Sequence, residues 1–135
     1  MITLVLCALG LTAVTVMMHG AGTAACARRF TAQRMSGFAL AWLVSLLLLL
    51  HLAEALVWAL FMVLVGALPS IEAAAYFSLT SYTTVGYGDV LLPERWRLLG
   101  PIEAAVGILM LGWSTGILVA AIGTAYREQV SRVGP

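Results

Sequence analysis

The chain has 135 residues, of which 62% are hydrophobic and only 10% are charged, and its formal net charge is +1. A soluble domain of this size would need far more polar surface. The charge balance indicates neither nucleic acid nor an acidic partner. Two cysteines, Cys7 and Cys26, lie in an apolar stretch, and their spacing is typical of neither a metal site nor a disulfide framework. The composition therefore predicts an all-α integral membrane protein.

The N-terminal stretch predicts a transmembrane helix over residues 1–27. Residues 2–18 are nearly unbroken apolar sequence, and about 20 such residues cross a bilayer. A secretory signal peptide is the competing interpretation, but the basic segment that opens such peptides is missing. Three arginines follow within residues 28–36, which the positive-inside rule assigns to the cytoplasm. The N-terminus is then outside, and residues 127–135 form a short cytoplasmic tail.

A second span is predicted over residues 37–67, and it carries two ionisable side chains at membrane depth. His51 and Glu54 are three positions apart, so they share one helix face. A carboxylate at this depth is costly and needs an internal partner or a function. One interpretation is a structural hydrogen bond inside the bundle. The other is a proton-sensitive switch for gating, because histidine titrates near neutral pH. Both predict that this face points into protein.

A short helix is predicted over residues 70–82, with Ser70 as its N-cap and Glu72 in its first turn. Twelve helical residues extend only about 18 Å, which is too short to cross a bilayer. The segment is therefore interpreted as a re-entrant half-helix that is surrounded by protein. It enters from the outside, and its partially negative C-terminal end points toward the membrane centre.

The stretch after this half-helix predicts a cation site. Glycine occurs at alternate positions, Gly86 and Gly88, and glycine accepts positive φ at little cost. A chain that alternates positive and negative φ can turn successive carbonyls to one side, unlike an ordinary strand. The expected product is a ladder of oxygens from Thr84 to Tyr87 that replaces the water around a bare cation.

This stretch resembles the selectivity filter of potassium channels. The residues that carry the resemblance are Thr84, Val85, Gly86, Tyr87 and Gly88. It extends over roughly residues 40–126 and implies a pore domain over 37–126, with K⁺ as the permeant ion. Because one loop cannot surround an ion, it also implies a homotetramer around a central pore. The chain is similar to the small bacterial pore-only potassium channels, with one extra helix in front.

The resemblance also implies residues that support the filter. These are Thr83 and Asp89 beside it, and Tyr76, Phe77 and Thr80 in the half-helix. Several channels of the family carry an acid where this chain has Thr80, and that acid partners the aspartate after the filter. Asp89 is therefore expected to find another partner, a tyrosine or a tryptophan.

The last span is predicted over residues 101–126 and is punctuated by glycines. The family implies that this helix lines the pore and that a glycine in it can act as a gating hinge. Gly107 and Gly112 are the candidates, and close helix packing is the competing role for each. Helical spacing gives three pore-lining candidates, which are Leu111, Ser114 and Thr115.

Together these features predict a potassium-selective channel in the cell (inner) membrane, in contact with lipid. No set of reactive side chains or phosphate-binding loop is visible, so an enzyme is not expected. One alternative is a weakly selective cation or proton-coupled pathway that uses His51 and Glu54. Another is a non-conducting membrane subunit that keeps the motif. The sequence leaves the gating stimulus open, and also whether the first helix packs on its own subunit or on a neighbour.

Overall fold

The computed structural model describes residues 1–30 and 36–133 of the chain, which form four α-helices. These are α1 (Ile2–Phe30), α2 (Gly37–Leu64), α3 (Ile71–Tyr82) and α4 (Leu99–Val133). Within these two ranges no strand occurs, so the predicted all-α class is confirmed. The predicted basic loop over 28–36 and tail over 127–135 lie partly outside the described residues.

Three of the helices are long and apolar enough to cross a membrane, whereas α3 is not. The candidate spans are Ile2–Arg28, Gly37–Leu64 and Leu99–Arg127. At 12 residues, α3 extends only about 18 Å. The protein is therefore a multi-pass membrane protein with one short helix between its second and third spans.

The end of α2 lies at Leu64 rather than at the predicted residue 67, because the chain reverses at Gly66. This glycine has φ +64°, its N–H donates to Val63 O at 3.0 Å, and Ala67 N–H donates to Met62 O at 2.8 Å. The pair of bonds is a Schellman motif, which satisfies the last carbonyls of a helix. The apolar pattern continues past this point, so it overestimates the length of the helix.

Both ends of α4 also extend beyond the predicted range of 101–126. The helix begins at Leu99, because Pro101 falls in its first turn, where a missing N–H costs nothing. It continues to Val133 because the sequence has neither glycine nor proline between Gly123 and Gly134. The first part of the predicted tail is therefore helical. Ser70 caps α3 as predicted, with its Oγ accepting from Ala73 N–H at 3.2 Å.

The first helix packs on its own subunit, against α2 and α4. The Trp58 indole is fully buried and donates to Thr15 Oγ1 at 3.0 Å. Further along, a Cβ on Gly22 would lie 2.7 Å from Leu50 Cδ2, so α1 and α2 approach closely. Within the single chain, the first helix therefore packs on its own subunit, which the sequence leaves open. It also contributes to the core that surrounds α3.

Candidate functional site

The predicted cation site is the segment that follows α3, and the sign of its backbone φ angle alternates from residue to residue. Thr84, Gly86 and Gly88 have φ of +63°, +55° and +76°. Every second residue of the segment is therefore left-handed, which is the pattern that turns successive carbonyls to one side. The sequence predicts this conformation at the two glycines but not at Thr84, where a Cβ makes it cost about 1–2 kcal/mol.

Backbone hydrogen bonds to the end of α3 hold this conformation. Thr84 N–H donates to Ser81 O at 2.9 Å, and Gly86 N–H donates to Thr80 O at 3.0 Å. Both acceptors are carbonyls of the last helical turn, which have no intrahelical partner of their own. The half-helix therefore fixes the first residues of the filter through its own C-terminal end, and this offsets the strain at Thr84.

Asp89 has an aromatic partner, Tyr76. Such a partner is expected because position 80 carries a threonine in place of the acid found in several channels of the family. Tyr76 Oη donates to Asp89 Oδ2 at 2.8 Å, and Val90 N–H donates to Asp89 Oδ1 at 3.1 Å. The hydrogen bond to Asp89 raises the pKa of the Tyr76 phenol. The phenol therefore remains a donor through neutral pH, and it ties the end of the filter to α3.

The other predicted support residues act within α3 or between α3 and α4. Thr80 Oγ1 donates to Phe77 O at 2.9 Å, so this hydroxyl does not reach Asp89. Thr83 Oγ1 likewise donates to Leu79 O at 2.6 Å. Phe77 packs against the start of α4, where a Cβ on Gly100 would lie 3.0 Å from its ring. Thr80 supports the filter through its carbonyl rather than through its side chain.

A second polar contact between α3 and α4 involves Glu103, which the sequence analysis did not select. Glu103 and Ser78 are both fully buried, and Ser78 Oγ donates to Glu103 Oε1. The other carboxyl oxygen, Oε2, has no hydrogen-bond partner in the described part of the chain. An acid within an apolar span is the signal that could have identified this residue.

Five buried side chains form a closed circuit of hydrogen bonds that we call the polar ring. All four helices contribute to it. The members are His19 of α1, His51 and Glu54 of α2, Tyr82 of α3 and Ser114 of α4.

The contacts run once around the ring. His19 Nδ1 lies 2.9 Å from Glu54 Oε1, and Tyr82 Oη donates to Glu54 Oε2. His51 Nδ1 lies 3.1 Å from Tyr82 Oη, and its Nε2 lies 3.0 Å from Ser114 Oγ. Ser114 Oγ then lies 3.3 Å from His19 Nε2, which closes the circuit.

The ring contains His51 and Glu54, whose shared helix face points into protein as predicted. The two residues are within 3.5 Å of one another, but Glu54 is nearer to His19, at 2.9 Å. His19 was not among the predicted site residues, although an ionisable side chain in an apolar span is a recognisable signal. Tyr82 was not among them either, and the sequence carries no comparable signal for it.

Ser114 is not a pore-lining residue, contrary to the prediction. It is 5% exposed and faces the two histidines, because its hydroxyl finds its partners there. Leu111 and Thr115 are exposed in the single chain and remain pore-lining candidates. Of the two hinge candidates, Gly107 packs tightly on α3, whereas a Cβ on Gly112 would meet nothing within 4 Å.

The polar ring also contains the described residues that could hold a metal ion. One donor atom from each of His19, His51 and Glu54 lies within 4.8 Å of the others. Two imidazoles and a carboxylate are a donor set that zinc accepts. Every one of these side chains is nevertheless hydrogen-bonded within the ring.

A half-helix between two spanning helices, followed by a backbone of alternating hand, defines a pore-forming membrane protein. Residues 39–124 match a family model described as "Ion channel". The chain belongs to this ion channel family, and its resemblance to the potassium channel pore domain is confirmed. It is thus a channel rather than an enzyme.

Part of the chain also aligns with a known channel protein. The chain is similar to the potassium voltage-gated channel protein shk-1 of Caenorhabditis elegans, with 38% identity over 61 residues. The aligned part is 44% of this chain but only 11% of the worm protein. No solved structure matches the chain.

Proposed function

We propose that this protein is a potassium-selective channel, in which K⁺ moves passively through a filter of backbone oxygens. The observation that carries the proposal is the alternation of positive φ at Thr84, Gly86 and Gly88. Such a backbone presents several carbonyls to one ion, as in the carbonyl-lined filters of K⁺ channels. The relative's name, a potassium voltage-gated channel, supports K⁺ as the permeant ion.

The proposed ligands are the backbone carbonyls from Thr84 to Tyr87, together with the Thr84 hydroxyl. These oxygens replace the hydration shell of K⁺, and ions in adjacent sites repel one another, so an entering ion helps the next one to leave. Gly88 ends the filter, and Asp89 and Tyr76 hold that end in place. No proton or electron transfer is involved, so conduction follows the K⁺ gradient.

We further propose that four copies assemble around the pore. Val85 and Tyr87 are 52% and 71% exposed in the single chain, which is unusual for filter residues that need fixed positions. A cavity of about 890 Å³ opens beside them, with Phe77 and Ser81 among its lining residues. In the proposed assembly, Val85 and Tyr87 of one subunit pack on the next subunit. Such head-to-tail contacts are heterologous, and four of them close into a ring.

The proposed setting is the cell (inner) membrane, with the N-terminus outside and the C-terminus in the cytoplasm. Five of the seven arginines then lie on the inner side. Lipid covers the outer faces of the spans, which carry exposed apolar side chains such as Leu6, Leu9 and Met17. In this orientation α3 enters from the outside.

Flux through purified protein in liposomes tests the proposal. We expect K⁺ flux that exceeds Na⁺ flux at least tenfold. Gly86→Ala should abolish this preference, because alanine resists the φ of +55°. Gly10→Ala is the matched control, since a Cβ there meets nothing within 4 Å and its φ is not positive.

The other outcomes separate the competing functions. Equal K⁺ and Na⁺ flux would favour a weakly selective cation pathway. Flux of protons alone, lost in Glu54→Gln, would favour a proton-coupled pathway through His51 and Glu54. A pure tetramer that conducts no ion at any pH would favour a non-conducting membrane subunit.

A further inference from the structure

We propose that His19 of α1 is a positioning residue for the filter, acting through the polar ring on the last residue of α3. The inference rests on the proposed function, because it concerns how the potassium filter is held. It assigns to the first helix a task beyond membrane anchoring.

The geometry that carries the inference is the closure of the ring across all four helices. Its contacts join residues that are 28 to 95 positions apart in the chain. Two of them involve His19, which bonds Glu54 through Nδ1 and Ser114 through Nε2. Removal of the imidazole therefore opens the ring at two neighbouring positions and leaves buried polar atoms without partners.

The ring reaches the filter through Tyr82. This residue ends α3, two positions before Thr84, the first proposed ligand. Its side chain is 1% exposed and lies within hydrogen-bond distance of both Glu54 and His51. Because Thr84 N–H is bonded to the last turn of α3, a displacement of Tyr82 moves the start of the filter.

The same donor set can be considered for a divalent metal, but the contacts favour a ring held by hydrogen bonds. A metal ion would displace hydrogen bonds that are already formed around the whole circuit.

The test uses the full-length protein without a histidine tag, because His19 and His51 are then its only histidines. His19→Leu removes both ring contacts. His19→Gln keeps one donor and one acceptor but cannot titrate. Met17→Leu is the control, since Met17 lies on the same helix and is 73% exposed.

Hydrogen exchange of the filter segment, residues 83–89, is the first measurement, because it does not depend on conduction. We expect exchange at least tenfold faster in His19→Leu than in Met17→Leu, and largely restored protection in His19→Gln. Equal exchange in His19→Leu and Met17→Leu would overturn the proposal, whether or not the protein conducts.

K⁺ and Na⁺ flux is the second measurement. We expect His19→Leu to lose at least tenfold in K⁺ preference and His19→Gln to retain the preference. If wild-type flux is unselective, the proposed potassium selectivity is overturned. The exchange measurement still tests the positioning role of His19, because it does not depend on conduction.

Metal analysis of the same samples tests whether the ring is held by hydrogen bonds alone. We expect less than a tenth of an equivalent of zinc or another divalent metal per chain, and filter exchange that a chelator does not change. A stoichiometric metal ion that is lost in His19→Gln would overturn the hydrogen-bonded ring.

Discussion

A Cβ atom on Gly107 would lie 2.0 Å from the carbonyl oxygen of Tyr82. At this point α4 crosses the C-terminal end of α3, and only glycine permits so close an approach. The backbone of Tyr82 is therefore held by α4 from one side, while its side chain is held by the polar ring. Of the two roles considered for Gly107, close packing is the one that this contact supports.

Gly107→Ala should destabilise the subunit strongly. The added methyl group meets backbone atoms that cannot rotate away, and overpacking of this kind costs about 1–3 kcal/mol or more. Thermal unfolding in detergent should show a lower Tm. Gly112→Ala is the control, because nothing lies within 4 Å of its Cβ position. An unchanged Tm in Gly107→Ala would contradict the packing, and lost conduction in a stable Gly112→Ala would identify Gly112 as the hinge.

Tyr76→Phe should weaken the outer end of the filter. It removes the 2.8 Å hydrogen bond to Asp89, and hydrogen bonds to a carboxylate are stronger than those between neutral groups. We expect K⁺ flux that starts normally but decays at least several-fold faster than in the wild type. Tyr126→Phe is a matched control on the exposed part of α4. Identical decay in the two variants would show that Asp89 does not need this partner.

Thr84→Gly should separate backbone strain from ion coordination. Glycine adopts the φ of +63° without the penalty of about 1–2 kcal/mol for a side chain, so the protein should be equally or more stable. The proposed hydroxyl ligand is lost, so K⁺ preference over Na⁺ should fall. Thr84→Ser keeps the hydroxyl and should keep the preference. A selective Thr84→Gly channel would exclude the hydroxyl from the ligand set.

Ser78→Ala should leave Glu103 with both carboxyl oxygens unpartnered in the described bundle. A buried polar group without its partner costs about 1–3 kcal/mol, so Tm should fall. The double variant Ser78→Ala, Glu103→Leu should recover part of the loss, because the carboxyl group is then absent as well. Additive losses in this double-mutant cycle would mean that the two side chains do not interact.

The sequence predicts well what depends on local pattern. Three spans follow from apolar length, the half-helix from its Ser70 cap and its brevity, and the positive φ at Gly86 and Gly88 from the absence of a side chain. The ends of the spans are less well predicted. Apolar pattern continues through the reversal at Gly66, and proline is tolerated inside the first turn of α4.

Contacts between distant positions were beyond the reach of the same reasoning. His19 and Ser114 are 95 residues apart, and only the packing of α1 against α4 brings them together. For the same reason Ser114 was assigned to the pore, since helical spacing gives its angular position but not the neighbour that occupies that side. The left-handed Thr84 is likewise fixed by bonds to α3 rather than by its own preference.

The polar ring also bears on how the chain matures in the membrane. The helices emerge from the ribosome in order, so His19 meets Glu54 first, Tyr82 arrives with α3, and Ser114 completes the circuit only with α4. Until then the incomplete subunit carries polar side chains without all of their hydrogen-bond partners in the hydrocarbon core, where lipid offers no replacement. Insertion of α4 thus removes the last unsatisfied groups of the ring from the membrane interior, so the ring is complete only in a finished subunit.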